Sequence, residues 1–134
     1  MPIPPLNEQK PPPVLLIVED DRSLLSALTF ALDAEGFQTR PYADGQSLLA
    51  EKDGIVADCL VIDQRLPGLD GLSLLEILRG RNIAAPAILI TSNPDRLCRQ
   101  RARDLGIPIV EKPLLNNALH RAIEEALRVT PNGA

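Results

Sequence analysis

The chain is poor in aromatic residues. Phe30, Phe37 and Tyr42 are its whole complement, tryptophan is absent, and all three lie in the first third of the 134 residues. A core must therefore come from Leu, Ile, Val and Ala, and there is no platform of rings on which bases could stack. Cysteine is scarce as well. Cys59 lies in an apolar run and Cys98 in a helical pattern, with no CxxC spacing; this argues against zinc and disulfide roles and for two small buried hydrophobes in a reducing compartment. Positive charge is not in excess: the formal net charge of -4 supplies no global basic field, which argues against direct nucleic-acid binding. No charged start precedes an apolar stretch, and no apolar run approaches the roughly 20 residues that cross a bilayer. The expectation is a soluble cytoplasmic protein with no membrane partner.

What is present reads as one ordinary globular domain, with 45% hydrophobic and 24% charged residues. Pro2, Pro4, Pro5, Pro11, Pro12 and Pro13 favour extended chain without sheet hydrogen bonds. The expected organisation is a disordered Pro-rich tail over 1–13, a folded domain over 14–129 and a short C-terminal tail over 130–134. That polar end suits a natural stop and equally an excised piece of a longer protein.

From Val14 onward, short apolar runs alternate with longer amphipathic stretches. Val14 to Val18 is an apolar run that stops abruptly at Glu19, Asp20 and Asp21, as a buried parallel strand entering a helix would. Leu24, Leu25, Leu28 and Leu32 recur at helical spacing until Gly36. Further strands are expected over 37–41, 58–63, 86–91 and 107–110, and a short helix near Asp44. Leu72, Leu74, Leu75 and Leu78 form the inner face of the next helix, with Gly80 as its stop. Asn93 before Pro94 predicts the start of the fourth helix, with Leu97, Cys98, Ala102 and Leu105 inward and Gly106 at its end. Leu119, Ala122, Ile123, Ala126 and Leu127 mark the last. Five strands alternating with five helices imply an α/β fold, a doubly wound five-stranded parallel sheet covered on both faces.

In such sheets ligands bind beyond the carboxyl ends of the strands, where the polar residues collect. Glu19 and Asp20 close the first strand, Asp63 the third, Thr91 and Ser92 the fourth, and Lys112 lies past the fifth. Clustered carboxylates are hard donors suited to Mg²⁺, which keeps waters and accepts phosphate oxygens. A cation there would let Asp63 act as a nucleophile on phosphorus, with Lys112 balancing charge and Thr91 donating a hydrogen bond. Each residue has a plainer reading. Asp20 or Asp21 could cap a helix, Asp63 could open a turn, Thr91 could bond its own backbone, and Lys112 could be a solvated charge. Their conjunction favours the site.

The segments VLLIVEDD, VIDQRLPGLDG, ILITS and IVEKP resemble, in order and spacing, the signature blocks of the receiver domains of bacterial two-component response regulators, over about residues 14–129. The resemblance implies a flavodoxin-like sheet of order 2-1-3-4-5 and a Mg²⁺ (or Mn²⁺) site built from Glu19, Asp20, Asp63 and the backbone carbonyl of Arg65. It also implies Asp63 as phosphoacceptor, Thr91 as switch hydroxyl, Lys112 as its conserved-type lysine, and a cis Lys112–Pro113 bond. The partners it implies are a histidine kinase or phosphotransfer protein and an unknown downstream protein target; a homodimer is compatible. Such a domain is a signalling phospho-acceptor rather than an enzyme with turnover. One position departs from the pattern: Ile109 stands where many relatives carry an aromatic ring coupled to the switch hydroxyl. That departure, with the odd Gln64–Arg65 pair, motivates an alternative, a pseudo-receiver binding module that signals without phosphorylation. An aspartate-nucleophile phosphatase would need an acid where Arg65 stands, and Glu19, Asp20 and Asp21 would repel a flavin phosphate. His120 is expected at a surface or interface, and Arg96, Arg99, Arg101 and Arg103 make the fourth helix basic, either as a solvated face or as a docking patch for an acidic partner.

Overall fold

A computed structural model of the chain describes residues 11–114 and 117–128. Most of the expected Pro-rich tail and the whole expected C-terminal tail therefore lie outside the described residues. The elements are β1 (Val14–Val18), α1 (Arg22–Ala34), β2 (Gln38–Tyr42), α2 (Gly45–Leu49), β3 (Cys59–Asp63), α3 (Gly71–Gly80), β4 (Ala87–Thr91), α4 (Arg96–Leu105), β5 (Ile109–Glu111) and α5 (Ala118–Arg128). All four strand pairings are parallel and the order is β2-β1-β3-β4-β5.

Alternation along each strand divides the core in two. Leu16, Val18, Leu60, Ile62, Ala87 and Leu89 pack under Leu48 of α2, Leu72, Leu74, Leu75 and Leu78 of α3, and Cys98 and Ala102 of α4. Leu15, Ile17, Cys59, Val61, Ile88, Ile90 and Val110 face Leu28 and Leu32 of α1 and Leu119 and Ile123 of α5. β3 and β4 are buried from end to end, as strands covered on both faces must be.

The helix starts follow one rule. Asp21, Asp44, Asp70 and Asp95 each accept the amide three residues on, from Leu24, Ser47, Ser73 and Cys98, which satisfies an amide the first turn would leave free. This corrects the expectation for α4. Asn93 does not cap it; Asn93 takes a left-handed turn at φ 45°, and the Asp95 carboxylate, two residues on, caps instead. The later start leaves Cys98, Ala102 and Leu105 facing inward and puts Leu97 on the flank, 66% exposed, against its expected inward place.

Two strands also begin later than their hydrophobicity suggests. After the left-handed Gly36 and Gly106, Phe37 N–H and Ile107 N–H turn back to the helix carbonyls of Leu32 (3.1 Å) and Ala102 (3.0 Å). Those amides close the helices and cannot join the sheet. α3 ends at Gly80, but Asn82 takes the left-handed position (φ 65°). The Lys112–Pro113 bond is cis.

Candidate functional site

Strand register assembles the rim. Val18 lies opposite Ile62, so Glu19 and Asp63, each next in line, come side by side; Thr91 lies opposite Glu111, so Lys112 follows one step beyond. Carboxylate oxygens of Glu19, Asp20 and Asp63 lie within 4.8 Å of one another. Lys112 Nζ is 2.9 Å from Glu19 Oε1 and 3.2 Å from Asp63 Oδ2. Capping falls to Asp21, which leaves Asp20 free to face the cluster.

Local bonds orient each acid. Glu19, fully buried, accepts the Asp21 amide on Oε2 at 3.1 Å. Its other oxygen sits beside the Lys112 ammonium yet meets no donor in hydrogen-bond geometry, so that contact is ionic and a lone pair stays available. Asp63 accepts the Arg65 amide on Oδ1 at 3.2 Å. Behind it, α3 packs so closely that a methyl at Gly71 would lie 2.4 Å from the Asp63 carbonyl oxygen. Gln64 secures the same turn, its side-chain oxygen accepting the Leu72 amide at 2.9 Å.

Three carboxylates against one ammonium leave two negative charges uncompensated. Carboxylates 4.8 Å apart repel by about 3.5 kcal/mol at an effective dielectric near 20. The consequence shows at Glu19, whose pKa is raised by burial first and then by the neighbouring Asp63 carboxyl, against the pull of Lys112. Burial works to lower the Lys112 pKa, but the negative charges of Glu19 and Asp63 beside it outweigh burial and raise it. All-oxygen donors, an orphaned buried oxygen and a twofold charge deficit fit a hard divalent cation.

Among the described residues, Thr91 bonds none of the three acids. It shares strand parity with Ala87 and Leu89, on the α3–α4 side, and its hydroxyl donates to the Ser92 carbonyl at 3.5 Å. That side holds a cleft of about 380 Å³ lined in part by Arg65, Thr91, Ser92, Asn93, Leu97 and Arg101. The Arg65 guanidinium crosses its mouth to the same carbonyl at 3.2 Å. Sequence reasoning gave the Arg65 side chain no bonding role and passed over Gly71; an Asp-Gly pair at a helix start was the available signal for the latter.

The remaining candidates lie elsewhere. His120, partly exposed on α5, bridges Glu35 (2.7 Å) and Glu124 (3.3 Å) rather than any rim residue. In α4, Arg99 pairs with Glu111, and Arg101 with Asp70 and Glu76.

Order 2-1-3-4-5, with acids and a lysine at the point where strand order reverses, defines a flavodoxin-like α/β domain with an acidic rim. The chain belongs to the response regulator receiver domain family, whose model matches residues 15–124. It is 32% identical to the transcriptional regulatory protein FixJ of Bradyrhizobium diazoefficiens over 115 residues, which cover 85% of this chain and 56% of that protein. It is 36% identical to the sensory transduction protein RegX3 of Mycobacterium tuberculosis over 115 residues, 85% of this chain and 50% of that one. The chain thus spans about half the length of the curated relatives it matches. Among solved structures it is similar to FixJ-N (TM-score 0.77, 29% identity, 86% of this chain and 93% of that one). It also shares the fold of a CheY-like receiver domain from Methanospirillum hungatei (TM-score 0.80, 24% identity, 87% and 94%). Among the described residues no helix is long and apolar enough to cross a membrane.

Proposed function

We propose that this domain accepts a phosphoryl group on Asp63 in a Mg²⁺-dependent reaction with a phosphorylated histidine of a partner kinase or phosphotransfer protein, and that it signals through protein contacts. The observation that carries the reading is the placement of Asp63 beside Lys112 and within 4.8 Å of two further carboxylates, at the rim of a receiver fold. Glu19, Asp20, Asp63 and the Arg65 carbonyl would hold the cation, which supplies Lewis-acid neutralisation of the carboxylates and of the phosphoryl oxygens. Asp63 Oδ attacks phosphorus, and the bond to the donor's leaving group breaks with its electron pair going to that group. Lys112, already beside Asp63 Oδ2, balances charge on the incoming phosphoryl oxygens. Thr91 turns its hydroxyl from the Ser92 carbonyl to one of them.

The experiment is incubation with a small acyl phosphate and Mg²⁺, followed by mass spectrometry of the intact chain and of Asp63→Asn. One added phosphoryl group, absent from the variant and from Mg²⁺-free samples, is the expected result. Failure of the parent to gain it, together with parent-like behaviour of Asp63→Asn in partner assays, would establish the pseudo-receiver alternative.

A further inference from the structure

Three contacts meet at the mouth of the cleft beside the rim. The backbone amide of Arg65 donates to Asp63 Oδ1 at 3.2 Å, its guanidinium donates to the Ser92 carbonyl at 3.2 Å, and the Thr91 hydroxyl donates to that carbonyl at 3.5 Å. One residue thus spans from the phosphoacceptor to the loop between β4 and α4. On the neighbouring strand β5, Ile109 is an aliphatic side chain packed against the α3–α4 core, with no ring to follow a moving hydroxyl. We propose that Arg65 takes over that coupling: its guanidinium and the Thr91 hydroxyl latch the Ser92 carbonyl, and both release it when Asp63 carries a phosphoryl group.

The inference rests on Asp63 being the acceptor. Among the described residues Arg65 forms no ion pair, so its charge is held by one neutral oxygen on an exposed side chain. A guanidinium prefers charged oxygens, and bonds to them are stronger than bonds to a carbonyl. Acylphosphate formation places such oxygens on the residue that the Arg65 amide already touches. The Thr91 hydroxyl is drawn the same way, and the Ser92 carbonyl loses both donors together. An acceptor so stripped must turn to find another partner or water. The loop can follow, because Ser92 and Asn93 line an open cleft rather than packed core, and Asn93 already holds a left-handed conformation that a change of path would relieve. Leu97, exposed at the lip of this cleft, moves with the loop.

The test is amide spectra of the whole chain, with saturating Mg²⁺ and a beryllium fluoride phosphate mimic, for the parent, Arg65→Met and Arg65→Lys. Saturation removes any change in affinity from the comparison. In the parent, the mimic should shift the amides of Asp63 to Leu66, Lys112, and Ser92 to Leu97. In Arg65→Met, the Ser92–Leu97 amides of the mimic-free protein should already lie displaced toward their bound positions, and their further shift should fall to roughly half or less, while Lys112 still responds. Arg65→Lys, which keeps one donor, should regain most of the parental shift. A full parental response of Ser92–Leu97 in Arg65→Met overturns the latch alone. Absence of any response at Lys112 in the parent overturns Asp63 as acceptor, and the latch with it.

Discussion

Lys112→Met removes a cation while keeping the length and apolar stem of the side chain. In the folded protein Nζ stands 2.9 Å from the fully buried Glu19 and 3.2 Å from Asp63. Each attraction is worth about 5 kcal/mol gross at an effective dielectric near 20, but the net loss is smaller because the variant can protonate Glu19. Taking that proton at pH 7 from a carboxyl whose ordinary value is 4.5 costs about 3.4 kcal/mol, at about 1.36 kcal/mol per pH unit. This matches the roughly 3–5 kcal/mol lost when one partner of a buried ion pair is deleted. The sign with pH follows. In the variant, folded Glu19 holds a proton that the unfolded chain has released above its ordinary value, so the folded state binds more protons and loses stability as pH rises. The penalty should therefore be near 3 kcal/mol at pH 7 and shrink steadily toward pH 4.5. Urea unfolding of parent and variant at several pH values measures it. A variant within about 0.5 kcal/mol of the parent at pH 7, or a penalty that does not change with pH, would refute the electrostatic account of the rim.

Gly71→Ala should destabilise by about 1–3 kcal/mol in the same assay, because its methyl would meet the Asp63 carbonyl at 2.4 Å and backbone must move to admit it; it should also slow phosphoryl gain at Asp63. Asp95→Ala should cost about 1 kcal/mol and fray α4, whereas Asn93→Ala should leave the helix start intact, because the cap is the carboxylate bonded to Cys98 N–H; circular dichroism with urea separates the two. Burial pushes the Cys59 thiol up to about 12, so iodoacetamide at pH 8 should leave Cys59 unmodified in the folded protein and alkylate it once urea unfolds the chain, as peptide mass mapping would read.

Element type and order were legible in the sequence because they depend on local periodicity. Apolar runs such as Val14–Val18 and Ala87–Thr91, and the leucine spacing before Gly36 and Gly80, carry information a few residues long. The rim could be nominated for the same reason, since every polar residue in it sits directly after an apolar strand. Tertiary structure alone decided which neighbours share a bond. Whether Asp20 or Asp21 capped α1, and whether Asn93 or Asp95 capped α4, turned on where the chain left each strand, and composition does not encode that path. The same holds for the two strands delayed by amides of Phe37 and Ile107 turning back to their helices. The charge deficit arises between residues distant in sequence, through strand register, and the Arg65 bond to the Ser92 carbonyl spans 27 positions; the close approach at Gly71 depends on how tightly α3 folds back on the end of β3. Local pattern specifies what each segment becomes; the ångström-scale distances that set charge repulsion and hydrogen bonding exist only once the sheet has brought those segments side by side.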